Sequence, residues 1–287
     1  MDKLYAYDLS LSDDGVAART LNKIERGSRV LEVGCASGSQ SKILKSILGC
    51  AVTAIEINPD AAEHAKPYCE RILIGSIEQL DTTSTFENEK FDVILFADVL
   101  EHLYDPLAAL KKVTPLLKDS GHIVASIPNI AQISVIYDLI YGKFEYTKTG
   151  ILDDTHIRFF TRKTVVDLFT NAGLLMETLD RGLFEMRSEK LAYPKNDADR
   201  AMIEFVRTHN PECMTSHFIV KASPSRLPTN DLELLHAKIQ LKSLEDLALF
   251  KESRTCEEEA LARKLTSDLA WQNKGIFTRV LRKFGIV

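Results

Sequence analysis

Val30-Leu31-Glu32-Val33-Gly34-Cys35-Ala36-Ser37-Gly38-Ser39 carries an apolar strand into a turn of small residues and then into a helix. Small residues let the backbone approach a ligand and turn the amides of the following helix toward it. Glu32 places a carboxylate at the end of this strand. The next apolar run, Ala51-Val52-Thr53-Ala54-Ile55, also ends in one: Glu56, eighteen residues beyond Gly38. An acid at that point can accept both ribose hydroxyls of an adenosine.

The pattern repeats outward from this unit. Asn58 can cap a helix that starts at Pro59. Strand-like runs follow at Arg71-Ile72-Leu73-Ile74 and at Phe91-Asp92-Val93-Ile94-Leu95-Phe96, the second apolar on both faces as a central parallel strand should be. Asp105-Pro106 begins a helix expected to run to Lys118, and Gly121 precedes a strand at His122-Ile123-Val124-Ala125-Ser126-Ile127. Thr161 caps a helix from Arg162 to Ala172, ended by Gly173. Two late strands are expected near Leu174–Leu179 and His217–Lys221. This order predicts a doubly wound α/β fold, a mostly parallel sheet with helices on both faces.

Four regions divide the chain: a helical lead-in at 1–28, the α/β domain at 29–222, a linker at 223–230 and a helical extension at 231–287. Within the domain, residues 130–160 break the alternation. They carry Tyr137, Tyr141, Phe144, Tyr146 and Phe159 and fall above the carboxyl ends of the strands, so they read as a lid.

Composition narrows the classes. Of 287 residues, 45% are apolar and 27% charged, which excludes disordered and fibrous chains. The net charge of −5 offers no basic field for nucleic acid. Five scattered cysteines without a CxxC pair predict neither a disulfide frame nor a zinc ribbon, and reduced thiols suit the cytoplasm. The N-terminal residues lack the apolar core of a signal peptide, and the longest purely apolar stretch, Val93–Ala97, is far short of the roughly 20 residues that cross a bilayer.

A nicotinamide dinucleotide would want G-x-G-x-x-G after the first strand, but Ala36 stands where the second glycine would be. A pyrophosphate beside Glu32 would be repelled, whereas a sulfonium would be attracted. The charge therefore favours S-adenosylmethionine.

Four segments in order, Val30–Gly38, Ile55–Pro59, Phe91–Ile94 and Ala97–Leu103, resemble the class I S-adenosylmethionine-dependent methyltransferases of the ubiquinone-biosynthesis-like branch. That resemblance covers about half of the chain, from Arg29 to Arg181. It implies a Rossmann-like sheet of seven strands, one antiparallel. It also implies that Glu32, Gly34, Ala36 and Gly38 border the methionine moiety, that Glu56 holds the ribose and that Ile57 lies against the adenine. Ser76 and Ile77 fall at the adenine amine, where the family often has Asp. Ala97 and Asp98 lie beside the cofactor.

Methyl transfer to a hydroxyl needs a base or a metal, because a hydroxyl is a poor nucleophile at neutral pH. A helix starting near Asp98 would place Asp98, Glu101 and His102 on one face. Those residues, with a distant histidine, suit a divalent ion, and methyltransferases of related pattern hold one so. The same residues also suit simple packing at the cofactor rim. His156, in Gly150–Thr161, is the candidate base or fourth ligand; Arg158 would pair with Asp153 or Asp154. That segment resembles one in methyltransferases of surface-polysaccharide synthesis. His64, His122, His209, His217 and His236 read as surface or edge residues.

The expected reaction is O-methylation of a sugar hydroxyl in a surface polysaccharide or lipid-linked glycan. A quinone or small metabolite is the other acceptor, and a methyltransferase-like scaffold without turnover is the other class. No Asn-Pro-Pro-Tyr type segment follows the fourth strand, which argues against a nucleic-acid substrate. In the extension, residues 231–268 carry nine acids against six bases with apolar residues at helical period, suiting a docked helix or a coiled-coil contact with a second subunit. Residues 269–287 carry four bases and no acid, interleaved with Trp271, Phe277 and Phe284, suiting peripheral contact with an anionic membrane face.

Overall fold

The strand-turn-helix unit around Gly34 forms as its pattern predicts and sits at the centre of the sheet. A computed structural model describes residues 10–183, 196–225, 227–233 and 235–236. The elements are α1 (Val16–Leu21), β1 (Arg29–Val33), α2 (Ser39–Ser46), β2 (Ala51–Glu56), α3 (Pro59–Ala65), β3 (Arg71–Ile74), α4 (Thr82–Phe86), β4 (Phe91–Ala97), α5 (Pro106–Val113), β5 (Leu117–Pro128), α6 (Ile133–Ile140), α7 (Arg162–Asn171), β6 (Leu174–Leu183), α8 (Asp197–His209) and β7 (Thr215–Pro224).

The seven strands run in the order β3-β2-β1-β4-β5-β7-β6. β1 pairs parallel with β2 and β4, and β7 pairs antiparallel with both β5 and β6. The order reverses at β1 and β4, which opens a crevice above their carboxyl ends. β4 is apolar on both faces because both are covered: Ile94 and Phe96 join the core under α5 and α7, while Val93 and Leu95 join the one under α1 and α2.

Caps fall where expected. The Asn58 side chain accepts from the amides of Asp60 and Ala61, and Thr161 forms a reciprocal box with Thr164. Some boundaries move. α5 stops at Val113, short of Lys118, because Pro115 cannot continue the backbone ladder; a short 3-10 turn intervenes and Leu117 already pairs with Phe91. The two late strands are longer than expected, and α8 lies between them unforeseen. Its face of Ile203 and Val206 packs on Ile133 and Tyr137 of α6. The hydroxyls of Tyr137 and Tyr141 donate to Asp199, fixing the end of α6 to α8.

Two histidines expected at the surface are buried. His122 lies inside β5, 3.6 Å from Glu25. His236 is helical; its Nε2 accepts from the Met176 amide at 2.9 Å and its Nδ1 is 2.7 Å from the Thr170 hydroxyl. With Leu232 also buried, this first part of the extension belongs with the sheet, in a unit that runs to Ile239. The stretches expected to pair subunits and to meet a membrane lie outside the described residues beyond 236. Among the described residues no helix is long and apolar enough to cross a membrane.

Candidate active site

The crevice is built by the two turns that leave β1 and β2. Gly34 has a positive φ of 75°, and a Cβ there would meet Val99 Cγ2 at 2.7 Å. At Gly38, also left-handed, a Cβ would meet the Ala65 backbone at 2.7 Å. Both glycines are thus required by conformation and by space. Ala36 takes a positive φ of 47° despite its Cβ. Its strain is offset by the hydrogen bond its amide donates to Glu56 Oε2 at 2.7 Å. The other Glu56 oxygen accepts from the Asn58 amide at 2.8 Å. One carboxylate therefore ties both turns together.

Glu32 lies opposite Ala54 in the β1–β2 register, so Glu32 and Glu56 share one face of the sheet. Glu32 is 2% exposed and accepts from the Ser41 hydroxyl at 2.5 Å. Burial, with smaller contributions from Cys69 and Glu56, lifts its carboxyl to about 8. The two strand-end acids thus converge. Ile57, just after β2, is 70% exposed, while Ile77 is buried in the core. Ser76 starts a turn, its hydroxyl accepting from the Glu78 amide.

At the end of β4 the chain does not enter an α-helix. Asp98 takes a positive φ of 54°, and only a single 3-10 turn, Leu100–His102, follows. The expected common face is lost. The Asp98 carboxylate receives the Ser126 hydroxyl at 2.7 Å and lies 3.8 Å from His217 Nε2. Neither Ser126 nor His217 carries a motif: the sequence places Ser126 only within a strand and reads His217 as a surface or edge residue.

Glu101, His102 and His156 do meet: one ligand atom from each lies within 4.8 Å of the others. The rings of His102 and His156 are 4.7 Å apart, and His156 Nε2 is 3.8 Å from Glu101 Oε1. The lid segment is held there by backbone, since the Ile157 and Arg158 amides both donate to the Glu101 carbonyl. His156 Nδ1 faces the Ile151 carbonyl at 3.0 Å, which makes it the protonated nitrogen and leaves the Nε2 lone pair toward Glu101. His102 Nδ1 faces the Thr155 carbonyl in the same way. Glu101 is 1% exposed, and neither carboxylate oxygen has a hydrogen-bond partner. Burial, then the charges of Asp98 and Asp153, push it well above the usual carboxylate range. Burial holds His156 below the ordinary imidazole value, so it is neutral near pH 7. Arg158 does not pair with Asp153 or Asp154 as expected. It donates to the Tyr104 carbonyl, Asp153 accepts from Thr155, and Lys148 takes Asp154. Phe144, Tyr146 and Phe159 form an exposed aromatic rim on the lid beside His156.

The strand order and the glycine turn after β1 are those of a doubly wound nucleotide-binding type of fold. A family described as a methyltransferase domain matches residues 7–179, and the chain belongs to that family. It is 31% identical over 137 residues to a ubiquinone biosynthesis O-methyltransferase of Glaesserella parasuis serovar 5, covering 45% of this chain and 57% of that protein. A protein of the same description from Cereibacter sphaeroides is 31% identical over 153 residues, covering 52% and 60%. The chain therefore spans about three fifths of the length of these curated relatives. Two solved structures share the fold. One is a SAM-dependent methyltransferase from Archaeoglobus fulgidus, with TM-score 0.51, 21% identity and coverage of 72% and 92%. The other is an O-methyltransferase from a Brevibacillus brevis polyketide synthase in complex with S-adenosyl-L-homocysteine, with TM-score 0.53, 13% identity and coverage of 83% of each chain.

Proposed function

We propose that this chain methylates a hydroxyl group at the crevice between β1 and β4, under the lid. The observation that carries the reading is the buried triad of Glu101, His102 and His156, with a carboxylate lacking partners and an imidazole lone pair beside it. Amine acceptors deprotonate readily and need no such group; hydroxyls do.

S-adenosylmethionine supplies an electrophilic methyl group on a sulfonium. Glu32 and Glu56 would hold its cationic and ribose portions, with Gly34, Ala36 and Gly38 along the methionine, Ile57, Ser76 and Ile77 along the adenine, and Ala97 and Asp98 at the sulfonium side. The fit is supported by Glu32 and Glu56, which share one face of the sheet at the ends of neighbouring strands. His156 Nε2 would take the acceptor proton, its tautomer fixed by Ile151.

The residues also fit a divalent ion held by Glu101, His102 and His156, because the orphaned Glu101 oxygens call for a cation or a donor. Such an ion would lower the pKa of a bound hydroxyl. Asp98 is left out of that set by its bond to Ser126. Base and ligand are mutually exclusive roles for one Nε2. Turnover that persists in a chelator favours the base; turnover that is lost and returns with a divalent ion favours the ligand.

The acceptor proposed is a sugar hydroxyl of a surface polysaccharide or lipid-linked glycan. Support comes from the Gly150–Thr161 segment and from the aromatic rim, on which a pyranose face can stack. The second reading, a phenolic quinone precursor, is favoured by what the curated relatives are named for. Mass spectrometry of host glycans with and without the protein tests the first: a methyl-sized loss is expected on deletion. Unchanged glycans with accumulated demethylated quinone would establish the second. Absence of saturable S-adenosylmethionine binding would leave the scaffold class standing instead.

A further inference from the structure

We propose that Lys112 and Glu78 are positioning residues that hold the loop after β3 in shape for the adenine of the methyl donor. This rests on the adenine placement proposed for Ser76 and Ile77. The loop, residues 75–80, joins β3 to α4 and has no helix or strand of its own. The amides of Gln79 and Leu80 both donate to the Ser76 carbonyl, and the Glu78 amide donates to the Ser76 hydroxyl. Those bonds close a turn but do not fix its place against the rest of the fold.

Lys112 of α5 supplies that fixing. Its Nζ donates to three carbonyls of the loop, those of Ile77 at 3.1 Å, Glu78 at 2.6 Å and Leu80 at 3.2 Å. An ammonium has three donors, and three oxygens meet it here. Carbonyl oxygens that converge on one point repel one another, so the turn keeps this shape only with a cation at its centre. Glu78 makes a second tie: its Oε1 accepts from the Asp105 amide at 2.8 Å, at the residue that caps α5. The loop is therefore bound near both ends of α5. That helix is itself a firm anchor, with Ala109, Leu110 and Val113 buried in the core.

The loop stands where a base would fall. Its first amide, that of Gly75, donates to the Glu56 carbonyl at 2.8 Å, and Ile74 lies opposite Glu56 in the β2–β3 register. A ribose held by the Glu56 carboxylate puts its base one glycosidic bond away, over the exit of the neighbouring strand. The Ser76 hydroxyl accepts from the Glu78 amide and so keeps its proton to donate to a ring nitrogen. Its aim depends on the turn that Lys112 and Glu78 hold. Loss of either tie should cost affinity for the base and spare the methionine and ribose portions, which other turns hold.

Calorimetry on the full chain with S-adenosylhomocysteine and with S-ribosylhomocysteine, which lacks the base, separates these portions. The parent should bind the first roughly ten-fold or more tightly than the second. Lys112→Met keeps the stem and removes the ammonium. It should weaken S-adenosylhomocysteine binding by roughly ten-fold or more and leave S-ribosylhomocysteine within about two-fold. Glu78→Ala should shift the same ratio by a smaller factor, and Glu78→Gln, which keeps an acceptor for the Asp105 amide, should restore it. Should Lys112→Met fail to fold, the two Glu78 variants decide the matter. A purely structural role would lower Tm without moving the ratio. Equal losses for both ligands, or none for either, would overturn the positioning role. A parent that binds both ligands alike would instead overturn the adenine placement on which that role rests.

Discussion

Glu56 and Glu101 are both buried carboxylates beside the ends of parallel strands, yet they are in opposite states. Glu56 is satisfied by two backbone amides, one from each turn it joins. Glu101 has none, and two histidines and two further acids stand near it. A satisfied buried carboxylate stabilises the fold before any ligand arrives, whereas an orphaned one costs stability that only a ligand or a proton repays. The proposed cofactor cleft is thus preorganised, and the proposed site at Glu101 is held ready at a cost.

The largest expected effect lies on the costly side. His156→Ala should lower kcat by roughly a hundred- to ten-thousand-fold, the usual range for removing a general base, with the cofactor dissociation constant nearly unchanged. Steady-state kinetics beside calorimetry would show this split. Equal losses in both would reduce His156 to a latch for the lid and dissolve the contrast.

Glu56→Ala should do the reverse. Losing the carboxylate that ties Ala36 to Asn58 should weaken cofactor binding by roughly 10- to 100-fold, from about 1–3 kcal/mol of hydrogen bonding. It should also lower Tm, because two amides at the turns lose their acceptor. Unchanged affinity in calorimetry would show that Glu56 serves only the fold.

The two sites were unequally legible in the sequence. Local chemistry announces the cleft: apolar alternation, a turn of small residues and an acid at each strand end all fall within one βαβ unit. The lid site is assembled over more than fifty residues of separation, and its members meet only because the Ile157 and Arg158 amides dock on the Glu101 carbonyl. A backbone contact of that kind leaves no trace in residue identity, although the short Glu101-His102 pair and the dense polar string around His156 do hold the three residues that the fold brings together. Asp98 was misplaced because helical periodicity was assumed where a left-handed residue and a 3-10 turn occur. α8 lies in a segment for which the sequence raises no expectation: it is rich in acids and bases, and it buries only Asp199, Ile203 and Val206. His236 read as an edge residue because nothing in its neighbourhood shows that both its nitrogens find partners on distant elements.

Glu101→Leu sharpens the contrast through stability. Replacing an orphaned acid with an apolar side chain of similar size should raise unfolding free energy by about 1–3 kcal/mol while turnover falls. Urea denaturation and activity, read on the same sample, should move in opposite directions. Destabilisation would mean that Glu101 has a structural partner, and the two acids would then be alike.

The smallest expected effect concerns Glu32, which falls between the two extremes: it is buried with one hydroxyl donor and titrates near 8. Its folded value is raised above the unfolded one. Its contribution to stability is therefore fully present below the usual carboxylate range, near 4.5, and is lost as pH rises through about 8. A sulfonium nearby favours the ionised form, so binding must release a proton wherever Glu32 is still protonated. Cofactor affinity should accordingly strengthen between neutral pH and about 8 and level off above it, by several-fold, with proton release visible as a buffer-dependent binding enthalpy. Glu32→Gln should flatten that profile while leaving the Glu56 contacts intact. A pH-independent affinity in the parent protein would show that Glu32 does not sense the donor's charge, and the cleft would then rest on Glu56 alone.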